Sequence, residues 1–152
     1  MTPLSQGTRM VLEPQPIPIL YIDDDAADAQ VLERQLAAAV ENPVICFTTP
    51  QELYDFLDLN QGPFIILVDL VLFVDTDDFC GGYAILDQLR KRPDINNTRS
   101  PILAVTGTDP DATLIERVRK SGADGFIHKP IDVPDLAAVI GRPGWFRVGF
   151  SR

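Results

Sequence analysis

Histidine occurs once and cysteine twice in this chain of 152 residues. Cys46 and Cys80 form no CxxC pair, and with a single histidine they do not build a zinc site. A reducing cytoplasm with both thiols free is the expected compartment. No uninterrupted apolar run is long enough to cross a bilayer. No basic segment followed by a long apolar run marks a secretory signal. Positive charge is also scarce. The 13 Lys and Arg face 22 Asp and Glu, a formal net charge of -9. A reader of the phosphate backbone needs a basic patch, so nucleic acid is not expected as a direct partner. The length fits one domain that buries its own core.

The clearest positive signal is Phe64-Ile65-Ile66-Leu67-Val68-Asp69. A short apolar run ending on one carboxylate reads as a strand buried on both faces, as in a parallel sheet. Residues 1–18 precede the pattern as an arm, with Pro3, Pro14, Pro16 and Pro18 and no sustained period. Ile19-Leu20-Tyr21-Ile22 is a first strand running into Asp23-Asp24-Asp25. Asp25 can cap a helix over 26–40, with Asp28 in its first turn and Val31, Leu32, Leu36 and Val40 as its apolar stripe. Val44-Ile45-Cys46-Phe47 is a second strand. Thr49-Pro50-Gln51-Glu52 is a capping box with proline at the first helical position, and the helix carries Leu53, Phe56 and Leu57 inward. Gly62-Pro63 lies in a turn, and the third strand covers 64–68.

A third helix opens at Gly81-Gly82, carries Ile85, Leu86 and Leu89, and ends at Arg92-Pro93. A polar loop leads to a fourth strand, Ile102-Leu103-Ala104-Val105-Thr106. A fourth helix starts at Asp109-Pro110, with Leu114, Ile115 and Val118 as its apolar face, and closes at Ser121-Gly122. Phe126-Ile127-His128-Lys129 is a fifth strand, and Asp132 caps a short helix over 133–140. Strands alternating with helices predict an α/β domain, and right-handed crossovers make it a doubly wound parallel sheet.

In such sheets the ligand site lies beyond the carboxyl ends of the strands. Those ends carry Asp23 and Asp24, Asp69, Thr106 and Lys129. Clustered carboxylates repel one another unless a cation sits among them. Hard oxygen ligands without His or Cys suggest Mg²⁺. Asp69 can then act as a nucleophile toward a phosphoryl group, with Lys129 on the phosphoryl oxygens and the Thr106 hydroxyl donating to the product.

With Ile22-Asp23-Asp24, Leu67-Val68-Asp69, Thr106-Gly107 and Lys129-Pro130 in this order, the chain resembles a response regulator receiver domain of bacterial two-component signalling. The resemblance covers residues 19–140, nearly all of the expected domain. It implies a flavodoxin-like (βα)5 fold with a five-stranded sheet in the order 2-1-3-4-5. It implies that Asp69 takes a phosphoryl group from the phosphohistidine of a sensor histidine kinase. Asp23, Asp24 and Asp69 would hold Mg²⁺ together with the backbone carbonyl of Val71. Thr106 and Lys129 match the family's hydroxyl and lysine. Such a module is a phosphoacceptor and not an enzyme in the ordinary sense. Pro130 is the candidate for a cis peptide bond. Phe126 falls at the family's switching aromatic, a position a core phenylalanine fills equally well.

The chain departs from the family in two places. The loop 70–82 is longer by several residues and lacks the usual proline. Its Leu72, Phe73, Val74 and Phe79 could contact a partner or gate the site, or could pack over the third helix. Asp75, Asp77 and Asp78 lack the glycine and distal glutamate of a calcium loop. Residues 141–152 form a C-terminal aromatic extension, too short for an output domain. Trp145, Phe146, Val148 and Phe150 either fold back or embrace a second subunit, and the short last helix favours a homodimer arm. Similar extensions occur in stand-alone receivers served by phytochrome-type kinases. His128, beside Lys129, reads as a surface or edge histidine. Two alternatives remain open. A haloacid dehalogenase-type phosphatase would use Asp23-x-Asp25, but the later acidic pair and a cap insertion are missing. A receiver-like binding module that takes no phosphate would keep the fold alone.

Overall fold

The computed structural model describes residues 16–70, 81–107 and 111–129, together with residues 131, 132, 134 and 136. Five strands form one parallel sheet: β1 (Ile19–Ile22), β2 (Val44–Phe47), β3 (Ile65–Asp69), β4 (Ile102–Thr106) and β5 (Gly125–His128). Their order is β2-β1-β3-β4-β5, the flavodoxin-like arrangement. The helices are α1 (Ala26–Ala39), α2 (Pro50–Leu59), α3 (Gly81–Arg90), α4 (Pro93–Asn97) and α5 (Ala112–Lys120).

Alternation along the central strands splits the core in two. Leu20, Ile22, Ile66, Val68, Ile102 and Ala104 face α2, α3 and α5 through Leu53, Leu57, Leu86, Leu89 and Val118. Ile19, Tyr21, Ile65, Leu67, Leu103 and Val105 face α1 through Ala29, Leu32 and Leu36, with Leu136 on the same side. Both faces are covered, which is why the central strands read as unbroken apolar runs instead of alternating ones. Among the described residues no helix is long and apolar enough to cross a membrane.

Local signals set most boundaries. The Asp25 carboxylate accepts from the N–H groups of Ala27 and Asp28 and opens α1. Thr49 and Glu52 form the reciprocal capping box of α2, with Pro50 in its first turn. The first helix corrects the expected stripe. Ala29, Leu32 and Leu36 are buried, while Val31 is 51% exposed and Val40 caps the helix end, half-buried. Ala29, Leu32 and Leu36 follow the i, i+3, i+7 spacing of one helix face, and Val31 lies about 100° round from Leu32.

The polar loop expected after Arg92-Pro93 contains α4. Pro93 sits in its first turn, and Ile95 is 1% exposed and anchors it. The next helix starts at Ala112, not at Asp109-Pro110, because Asp111 supplies the cap to the Leu114 N–H at 2.8 Å. Of its expected apolar face only Val118 is buried; Leu114 and Ile115 are half-buried. β3 and β5 each shift by one residue, so Asp69 belongs to β3 and Lys129 follows β5. The Leu136 N–H donates to the Asp132 carbonyl at 2.9 Å, a helical turn at the predicted last helix. The cis peptide bond among the described residues is Gly62-Pro63. Pro130, Val71, Asp75, Asp77, Asp78, Leu72, Phe73, Val74, Phe79, Cys80, and the aromatics Trp145, Phe146 and Phe150 with Val148, lie outside the described residues.

Candidate phosphoacceptor site

The parallel register brings four strand ends to one edge. Ile22 pairs with Phe47 on one side and Val68 on the other, Asp69 with Val105, and Thr106 with His128. Asp23 therefore leaves the sheet beside Asp69, and Lys129 leaves it one residue beyond Thr106's partner. The backbone closes this edge as well. The Lys129 N–H donates to the Thr106 carbonyl at 2.7 Å, and the Leu70 N–H to the Val105 carbonyl at 2.8 Å.

Asp23, Asp69 and Thr106 are 2%, 1% and 2% exposed. Buried carboxylates cost several kcal/mol in solvation unless paired, and here one ammonium serves both. Lys129 Nζ lies 2.6 Å from Asp69 Oδ2 and 3.9 Å from Asp23 Oδ2. Burial works against the charged lysine, but the hydrogen bond to Asp69 and the charges of Asp69 and Asp23 outweigh it and hold its pKa above the ordinary lysine value. Asp23 is secured further. Its Oδ1 accepts the Asp25 N–H at 2.9 Å, and its Oδ2 accepts the Tyr21 hydroxyl at 2.8 Å. Burial, and then the bond to Asp23, push the Tyr21 phenol well above the usual tyrosine range, so it stays a donor.

Asp24 is exposed beside this pair, and Asp25 spends its carboxylate on capping α1. Among the described residues no three His, Cys, Asp or Glu side chains gather as a preformed cage. Of the three expected carboxylates, Asp23 and Asp69 are buried around the Lys129 ammonium, and Asp24 is exposed beside them. That donor set still fits Mg²⁺, which takes one or two carboxylates and keeps several waters. The lysine ammonium between the two carboxylates marks where positive charge is favoured. Phe126 is half-buried against the α2–α3 side of the core, and His128 is exposed.

Two residues of this edge escaped the sequence reading. From sequence Tyr21 reads only as a strand residue, although the alternation of side chains two apart directs it toward Asp23, just past the end of β1. From sequence Gly82 reads only as a helix opener. A Cβ on Gly82 would lie 2.5 Å from Leu70 Cα and 2.6 Å from the Asp69 carbonyl oxygen. The start of α3 therefore rests directly on the backbone of Asp69.

No curated relative matches the chain. The fold is shared with many solved structures. It superposes on the receiver domain of a Francisella response regulator with a TM-score of 0.64 at 22% identity, covering 82% of this chain and 93% of that one. The receiver domain of a signal transduction histidine kinase from Syntrophus aciditrophicus gives 0.65 at 25% identity, covering 82% and 86%. The chemotaxis protein CheY4 of Vibrio cholerae gives 0.68 at 20%, covering 83% and 97%. The sequence profile of the response regulator receiver domain matches residues 19–141. The chain belongs to the response regulator receiver domain family.

Proposed function

We propose that this protein is a single-domain response regulator of the cytoplasm that accepts a phosphoryl group on Asp69 from a sensor histidine kinase and signals through protein contacts. The observation that carries this reading is the placement of two buried carboxylates, Asp69 and Asp23, on one ammonium, Lys129 Nζ. An Asp69 oxygen attacks the phosphorus of the kinase's phosphohistidine. The new P–O bond forms as the P–N bond breaks, and its electron pair leaves with the imidazole, which is protonated. Lys129, already within 2.6 Å of Asp69 Oδ2, moves onto the phosphoryl oxygens and balances their charge. Thr106, at the end of the adjacent strand, donates its hydroxyl to the acyl phosphate. Asp23 and Asp69, with Asp24 and the Val71 carbonyl as the family resemblance implies, would hold Mg²⁺, which would neutralise charge on the transferred group. Phe126 and Thr106 form the switch that reports the phosphoryl group to the α5 side of the domain.

The phosphatase reading puts the nucleophile at Asp23 and general acid–base work at Asp25. The capping bonds of Asp25 argue against it. The C-terminal aromatics serve a homodimer, and a phytochrome-type kinase is the partner suggested by likeness to receivers with such extensions.

Intact mass after incubation with Mg²⁺ and acetyl phosphate tests the reading. The wild type gains one phosphoryl adduct and Asp69→Asn gains none. An adduct on Asp69→Asn that is lost in Asp23→Asn would support the phosphatase-type nucleophile instead. No adduct on the wild type, from acetyl phosphate or from a phosphorylated kinase, would leave a binding module.

A further inference from the structure

Tyr21 is a buried polar group for which the transfer step has no use. It is 2% exposed in the central strand β1. Its ring lies on the α1 side of the sheet among Ile19, Ile65, Leu67, Leu103 and Val105. An aliphatic side chain there would fill the same core without placing a hydroxyl in it. A buried phenol needs an acceptor, and this one reaches out of the core to Asp23 Oδ2 at 2.8 Å.

The two oxygens of Asp23 are therefore held from different directions. The Asp25 N–H takes Oδ1 at 2.9 Å and the Tyr21 O–H takes Oδ2 at 2.8 Å. One donor alone anchors an oxygen but lets the carboxylate turn about its own bond. Two donors on opposite oxygens fix its plane. Lys129 does not do this work, since its Nζ stands 3.9 Å from Asp23 Oδ2 and belongs chiefly to Asp69 at 2.6 Å. When the lysine turns to a phosphoryl group, Asp23 keeps both of its neutral donors.

We propose that Tyr21 is a positioning residue that holds the Asp23 carboxylate in the orientation in which it receives Mg²⁺. This rests on the metal-dependent phosphoacceptor reading above. Hydrogen-bond partners of a ligating side chain are typically worth ~10–100-fold in metal affinity. Tyr21 acts through Asp23 and touches neither the metal nor the phosphoryl group.

The test is calorimetric titration of the full chain with MgCl2 at neutral pH, on the wild type, Tyr21→Phe and Asp23→Asn. The Phe variant removes one oxygen from the core and keeps the ring, so thermal melting in EDTA should show it folded. The expected result is binding by the wild type, loss in Asp23→Asn, and at least ~10-fold weaker binding in Tyr21→Phe. In acetyl phosphate labelling, the half-saturating Mg²⁺ concentration of Tyr21→Phe rises by the same factor while the rate at saturating Mg²⁺ is retained. Equal or tighter Mg²⁺ binding by Tyr21→Phe would overturn the proposal and leave the phenol a core residue. So would a labelling rate that falls at saturating Mg²⁺ without a shift in half-saturation. Absence of Mg²⁺ binding by the wild type would overturn the metal reading, and the role of Tyr21 with it.

Discussion

Replacing Gly82 by alanine sets two physical effects of opposite sign against each other. Gly82 is the second residue of α3. On helix propensity alone, alanine should stabilise it by roughly 0.5–1 kcal/mol. The tertiary structure reverses the sign. The added methyl would stand 2.5 Å from Leu70 Cα, 2.6 Å from the Asp69 carbonyl oxygen and 3.1 Å from the Leu70 carbonyl carbon. Carbon atoms in favourable contact sit about 3.5–4.0 Å apart, so a gap of roughly 1 Å must open. All three atoms are backbone, and no rotamer change can yield it. The helix or the end of β3 has to move, and overpacking of this kind costs about 1–3 kcal/mol. After the propensity gain is offset, Gly82→Ala should lose about 1–2 kcal/mol in urea unfolding followed by circular dichroism. Gly107 is the internal control, because a Cβ there meets nothing within 4 Å. Gly107→Ala should unfold within about 0.5 kcal/mol of the wild type. Because the strain falls on the Asp69 carbonyl, Gly82→Ala should also label more slowly with acetyl phosphate. A Gly82→Ala variant as stable as the wild type, or more so, would refute the packing argument.

The remaining predictions concern charge and thiols. Lys129→Gln leaves Asp69 and Asp23 buried without their shared cation, and should destabilise the domain by about 1–3 kcal/mol at neutral pH. The pKa of Lys129 is raised on folding, so the stability it contributes is fully present below the ordinary lysine value and is lost as pH rises through the folded one. The wild-type minus Lys129→Gln difference in urea unfolding should stay flat from neutral pH toward the ordinary lysine pKa and shrink above it; a difference that grows with alkali would contradict the assignment. Burial, and then the nearby Glu33, push the Cys46 thiol up to about 12. In a Cys80→Ser background, the native protein should react with a thiol reagent near pH 8 far more slowly than the urea-unfolded chain. Equal rates would place Cys46 in solvent.

Short-range signals account for what could be read without coordinates. The apolar runs at 19–22, 44–47, 64–68 and 102–106 each appear as strands within one residue; in β1, β3 and β4 burial on both faces requires unbroken hydrophobicity, while the edge strand β2 is mostly half-buried. The caps at Asp25 and Thr49 involve partners only two or three residues away. The polar strand ends were legible for the same reason, since a parallel sheet with helical crossovers leaves every strand's carboxyl end at one edge. Where a competing signal lay nearby, the reading slipped. Asp109-Pro110 masked the true cap at Asp111, and the polar run after Pro93 hid a short helix anchored by one buried side chain, Ile95.

The amino-acid order by itself determined the elements, their alternation, and which residue types stand at the ends of the strands. These depend on periodicity and on hydrogen bonds between near neighbours. Only the tertiary structure decided that Lys129 reaches Asp69, sixty positions away, and sits farther from Asp23. Only it decided that the phenol of Tyr21 crosses from the core to Asp23, and that Gly82 has no room for a methyl. Distances of 2.6 to 3.9 Å between residues remote in sequence depend on strand register, sheet twist and helix packing together. No local window of sequence contains that sum.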